Sequence, residues 1–583
     1  MKRLFGLITT VILFSGFSGF VSADAVKADK TQTEEMKPVK EEVAVEQQTK
    51  ARTFLDKYNA EVEKILVTQA ISYWQAANSG KTADFDAYAA ADLEMKKLHS
   101  DPARFAVVEG LLPQQAHLDT LTVRSLQVAE LAFKENQLPK TILEKMTKMA
   151  AEIEQAFNTY RGQLEGKKYS NNDLEDLLKT ETDSARRQKI WETLKQVGET
   201  VAPRLKALAK IRNEAARQVG YKNFWDMKIR LQEHNPEELI SLFNQLEKLT
   251  DEPFKQMKAK MDRELAAKFK ISVEEMMPWH YDNPFFQEAP PSDKVNLDEF
   301  YKDKKKEEIV EIAKKFYRDI GLPIGDIVKR SDLYERAGKQ PHAFCISINR
   351  RDDIRALLNI KPNAYWMDTV LHEMGHAVYD KYIDKSLPFI LRDPAHTFTT
   401  EAVAMLFGAL AKNPLWITNY ARAAEKRVKE VEKPILEQRR REQLIFCRWT
   451  LVMLNFEKSF YENPDRDLNT LWWDMVERFQ LLKRPRGRNQ ADWAAKIHFS
   501  IAPVYYHNYM MGELLAAQMR AVLVKLAHHT GPAYNLNYAK HKEFGNFFRE
   551  KIFKPGATLP WPQFVKEATG EPLTASYFAA EVK

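Results

Sequence analysis

The chain has 583 residues, of which 44% are apolar and 29% charged, with a net charge of +7. That is enough chain for a large buried core, with the composition of an ordinary globular protein. The small positive excess is mixed with acidic residues and accompanied by no nucleic-acid motif, which argues against nucleic acid as a partner.

Lys2 and Arg3 precede an apolar run from Leu4 to about Val21, and small residues follow at Ser22, Ala23 and Ala25. Residues 1–25 therefore read as a cleaved signal peptide, and the protein is expected to be exported, periplasmic or secreted. No later stretch is apolar and long enough to span a bilayer, so no integral membrane segment is expected after signal removal. Residues 26–50 are rich in Lys, Glu, Thr and Gln and read as a flexible charged linker. From residue 51 to 583 the chain reads as helical almost throughout. Residues 206–219, 236–261 and 423–455 carry apolar side chains at i, i+3 and i+4. Strand signals are few. Residues 342–348 and 354–360, joined by a polar link, predict an antiparallel hairpin, and Pro362 ends it before the next helix. The two cysteines, Cys345 and Cys447, are too few and too far apart for a disulfide framework and are expected to be free thiols.

Residues 365–382 have helical character and contain His372-Glu373-Met374-Gly375-His376, an H-E-x-x-H pattern. On a helix, residues i and i+4 share a face, so His372 and His376 can offer two imidazoles to one metal ion. Glu373, about 100° further round, is placed to serve as base for the attacking water. A catalytic zinc takes three protein ligands and keeps a position open. The third candidate is Glu401, the lone acid in the apolar opening of the next helix, which Thr397 to Thr400 are placed to cap. A carboxylate there is costly to bury unless a cation shares the site. The basic loop from Lys483 to Arg488 reads as an exposed turn, and Arg439, Arg440 and Arg441 as a helix face.

This two-His, one-Glu layout resembles the gluzincin metallopeptidases, and specifically the angiotensin-converting-enzyme family of peptidyl-dipeptidases. H-E-M-G-H has the family's form. Leu387-Pro388 and Arg392 before Glu401, the His342-Ala343 pair, Lys496-Ile497-His498, and Tyr506-His507-Asn508-Tyr509 are similar to its other ordered motifs. So are Ser72 to Asn78 and Asn213 to Arg217 with Gly220-Tyr221. The resemblance spans roughly residues 51 to 580 and implies a mostly α, two-lobed fold with a deep central cleft and a small antiparallel β element beside the motif helix. It implies one Zn2+ on His372, His376 and Glu401. It gives Glu373 the role of base and His498 and Tyr509 the role of oxyanion donors. Lys496, Tyr506 and Gln287 would take the substrate's terminal carboxylate, and His342 and Ala343 would pair with its backbone. The activity implied is release of dipeptides from the C-terminus of short peptides. The alternatives are an oligopeptidase with endo- or single-residue carboxypeptidase action, and a peptide-binding scaffold without turnover.

Three positions depart from the family pattern. Met405 stands where the family has an Asp that orients a zinc-binding His. Asp368 and Asp380, each four residues from a motif His, are possible substitutes. Asn508 and Val476 stand where it has two chloride-binding Arg residues, so chloride is expected to have little effect.

Overall fold

The computed structural model describes residues 36–583 apart from Asp293 and Lys540, and its fold is mostly α-helical. The expected signal peptide, residues 1–25, lies outside the described residues. Of the expected linker, residues 26–35 also lie outside the described residues, and residues 36–50 are helical. They are the first turns of a 44-residue helix, Met36–Ser79. Glu, Lys and Gln are good helix formers, and residues 42–50 are exposed or half-buried. Gln48 ties that end down, donating to Asp119 Oδ2 at 2.6 Å and Thr122 Oγ1 at 2.9 Å and accepting from the Asp119 N–H at 2.9 Å.

The three expected long helices are present and longer than their apolar periodicity suggested: Val197–Gln218, Pro236–Phe269 and Glu425–Glu462. Each runs through an internal proline. One hydrophobic core extends from Ala51 to Val582. Arg439, Arg440 and Arg441 sit on Glu425–Glu462 and bind Glu581, the Val582 carbonyl and Glu264, as a helix face does. The basic loop is likewise paired, Arg484 with Glu477 and Arg488 with Asp492. Cys345 and Cys447 are free.

Three helices position the site. The motif helix, Ala364–Tyr382, starts at Asn363, whose side chain accepts from the Trp366 N–H at 2.9 Å. The glutamate helix, Thr397–Gly408, takes in the expected threonine cap as its first turn. Its cap is His396, whose Nδ1 accepts from the Phe398 N–H at 3.2 Å. The third helix, His507–Leu526, crosses the glutamate helix. Glycines allow these close crossings. A Cβ on Gly375 would lie 2.8 Å from Ala404 Cα, and one on Gly512 would lie 3.3 Å from Glu401 Cγ. The motif helix therefore meets the glutamate helix backbone to backbone one residue from His376.

The expected hairpin forms in shortened form. Phe344–Ser347 pairs antiparallel with Ile354–Leu357, in the register Phe344 to Leu357 and Ser347 to Ile354. His342 and Ala343 fall just before its first strand.

Candidate active site

His372, His376 and Glu401 are brought together, with their ligand atoms within 4.8 Å of one another. His372 Nε2 is 3.7 Å from one Glu401 oxygen and His376 Nε2 is 3.6 Å from the other. Ligand atoms on a tetrahedral zinc stand roughly 3.3 Å apart, given bonds of about 2.0–2.1 Å. The two imidazoles are nearly perpendicular, at 80°. Both His376 Nε2 and Glu401 Oε2 are buried without a hydrogen-bond partner. Buried polar atoms are almost always paired, so two orphans facing each other across such a gap fit a shared cation. Burial and then the Glu513 charge push the Glu401 carboxyl up to about 8, and burial pushes His376 well down. A bound cation would remove both penalties. His376 Nδ1 lies 2.8 Å from Thr400 Oγ. An Nδ1–H donated there leaves the Nε2 lone pair free to ligate.

Thr400 is a partner that the sequence reading missed, because the Thr397–Thr400 run was assigned to capping. Asp380 does not orient His376, since Thr400 holds Nδ1. Asp380 is instead pushed up to about 7 by burial and then by the neighbouring Asp393. Asp368 lies one turn before His372, facing Gly408.

Glu373 is buried and lines the same cavity as Cys345 of the hairpin, whose N–H lies near its carboxylate. Burial and then Glu401 push its pKa up to about 8, suited to a base working near neutrality. A cavity of about 150 Å³ opens beside Glu373 and His376. Its walls are the strand Phe344–Ser347 and the aromatic rings of Tyr73 and Tyr88. Among the described residues that strand pairs with one neighbouring strand, which makes it an edge strand beside the cavity.

Lys496, Gln287 and Tyr506 converge although they lie far apart in sequence. Lys496 Nζ donates to Gln287 Oε1 at 2.6 Å, and the Tyr506 hydroxyl donates to the same oxygen at 3.4 Å. Trp449, Phe285 and Tyr506 surround the ammonium, with ring centroids 5.2, 5.4 and 5.5 Å away. Burial pushes its pKa down to about 7. The Glu288 and Glu175 charges partly offset that effect, so Lys496 is a desolvated amine with Gln287 as its hydrogen-bond partner and two acids in its surroundings.

A row of rings leads away from this pocket. His498 packs 5.0 Å from Tyr506, and Tyr506 packs 5.4 Å from Tyr509. His498 Nδ1 is buried and unpartnered, and burial holds the ring neutral. Burial and then the Glu401 charge raise the Tyr509 phenol, which keeps its proton near neutral pH. Tyr505 packs 5.2 Å from Tyr509 and is raised by burial, Tyr509 and Glu401. It was absent from the sequence reading. Asn508 points away, donating to Gln232 Oε1 at 2.6 Å, and Val476 is buried among apolar side chains.

The geometry combines a His-His-Glu cluster that could hold a metal ion, an adjacent buried carboxylate, a nearby row of phenol and imidazole rings, and a separate buried lysine. The family model for angiotensin-converting enzyme matches residues 45–578. The chain is 25% identical to angiotensin-converting enzyme of Oryctolagus cuniculus over 272 residues, 45% of this chain and 20% of that protein. It is 20% identical to an inactive angiotensin-converting enzyme-related protein of Caenorhabditis elegans, over 68% of this chain and 48% of that one. It is 26% identical to thermostable carboxypeptidase 1 of Pyrococcus furiosus, over 37% of this chain and 46% of that one. The chain thus spans well under two thirds of the length of the curated relatives it matches. The family match covers nearly all the described residues, and the chain belongs to the angiotensin-converting enzyme family of peptidases.

Proposed function

We propose that this protein is an exported, zinc-dependent peptidase that releases dipeptides from the C-terminus of short peptides. The observation that carries the reading is the pairing of two separate features. One is the His372, His376 and Glu401 cluster with Glu373 beside it. The other is the buried Lys496 ammonium against Gln287 and Tyr506.

Zinc on His372, His376 and Glu401 would polarise the scissile carbonyl and acidify the attacking water. Glu373 takes the water's proton and passes it to the departing amine, which its raised pKa allows. Tyr509 and His498 donate to the developing oxyanion. Phe344–Ser347 pairs with the backbone before the scissile bond, with His342 and Ala343 leading into it. Lys496, Gln287 and Tyr506 hold the terminal carboxylate. Export rests on the signal-like residues 1–25. The likeness to a carboxypeptidase favours single-residue release as the second reading.

The test is product analysis on matched free-acid and C-terminally amidated peptides. Dipeptides from the free acid, with a strong loss on amidation, are the expected result. Single amino acids as first products favour the second reading. Internal cleavage indifferent to amidation contradicts a terminal-carboxylate pocket.

A further inference from the structure

The segment from Phe499 to Tyr505 joins His498 to Tyr509 and contains a β-branched residue, Val504, at φ +55. Such a residue rarely adopts a left-handed backbone, and it persists there only where its surroundings impose it. The imposing groups are three buried polar side chains, two from the helices Val197–Gln218 and Glu425–Glu462 and one from the turn that ends the helix Phe224–Leu231. Arg212 donates to the Phe499 carbonyl at 2.8 Å and the Ser500 carbonyl at 2.6 Å. Glu457 accepts from the Val504 N–H at 2.8 Å. Gln232 donates to the Val504 carbonyl at 3.0 Å, and its Oε1 accepts from Asn508, the neighbour of Tyr509, at 2.6 Å. The Gln232 backbone carbonyl also meets His396 Nε2 at 2.9 Å, and His396 caps the helix that carries Glu401. All three side chains are at most 6% exposed, and all face the turn rather than the peptide cavity.

We infer that Arg212, Glu457 and Gln232 form a clamp on the Val504 turn and are positioning residues that set His498 and Tyr509 against the metal cluster. None of them touches substrate. The two peptide units flanking Val504 are held by separate partners, the preceding one by Glu457 on the Val504 N–H and the following one by Gln232 on the Val504 carbonyl. Gln232 links the same turn to the glutamate helix, so the donors and the metal ligand share one buried support. The inference rests on the peptidase reading above and on Tyr509 acting as a donor.

A double-mutant cycle tests it on the zinc-loaded full chain. Glu457→Ala should lower kcat roughly 10- to 100-fold, the scale of a small misplacement of catalytic groups, with KM changed only a few-fold and zinc content retained. Glu457→Gln, which keeps an acceptor for the Val504 N–H, should recover most of that rate. In a Tyr509→Phe background the Glu457→Ala loss should shrink several-fold, because the group it positions has gone. Arg212→Lys, which keeps the charge but loses the two-carbonyl fork, should repeat the pattern and serves if Glu457→Ala does not fold. Losses that multiply in full in the Tyr509→Phe background, or kcat unchanged in both clamp variants, overturn the inference while leaving the peptidase reading intact. Zinc-loaded wild-type protein that cleaves no peptide defeats the peptidase reading itself.

Discussion

Lys496 shows how much one residue's surroundings decide. A lysine normally carries its charge far above neutral pH, but burial among Trp449, Phe285 and Tyr506 pushes this one down to about 7. In the proposed function its charge is needed before substrate arrives, so the protonation step belongs to the free enzyme. The pH dependence of kcat/KM reports that step. As pH rises through about 7 the ammonium is lost, and kcat/KM for free-acid peptides should fall along an alkaline limb. Amidated peptides, which have no carboxylate to pair, should lack that limb. A charge-assisted contact of about 1.5–3 kcal/mol sets the drop at roughly 10- to 100-fold. Identical profiles for the two substrates would show that Lys496 is a structural cation. His498 is held neutral by burial and by the neighbouring Lys496 charge, so it contributes no competing limb above neutrality.

Among the elements, the contact between the motif helix and the glutamate helix determines whether three ligand atoms meet. Gly375 is the enabling residue, since a side chain there runs into the Ala404 backbone, which cannot turn aside. Gly375→Ala should therefore cost roughly 1–3 kcal/mol of stability, as overpacking does, and should weaken zinc retention in dialysis by separating His376 from Glu401. Unchanged melting temperature and metal content would show that the helices slide without consequence. The motif helix and its ligands were legible in sequence because i, i+4 spacing is local. Glu401 was legible because an acid in an apolar helix start needs a reason. The hairpin was legible from alternation and its polar link. Thr400 was misread, because a threonine run before a helix signals a cap as readily as a partner for a histidine. The helix from Met36 was misread because a solvated helix face and a linker share a composition, and the deciding contact, Gln48 to Asp119, is long-range.

For the whole molecule, the site is assembled from distant segments. Gln287, Lys496 and Tyr506 meet in one pocket. Arg212, Gln232 and Glu457 meet at one turn. No local pattern announces such convergence. A family resemblance suggested the first group, and nothing in the sequence marked the second as more than two helix residues and one at a helix end. The relatives it matches include angiotensin-converting enzymes and a relative named inactive, so family membership leaves turnover to be measured on this protein. The most direct measurement follows zinc and peptide cleavage together in wild type and Glu373→Gln. Both proteins should bind about one zinc per chain, and removing it should abolish wild-type cleavage until zinc is restored. Glu373→Gln should keep the metal yet lose several orders of magnitude in rate, since the ligands remain and the base does not. Wild-type cleavage that survives complete metal removal, or a Glu373→Gln variant that cleaves at the wild-type rate, would contradict the account.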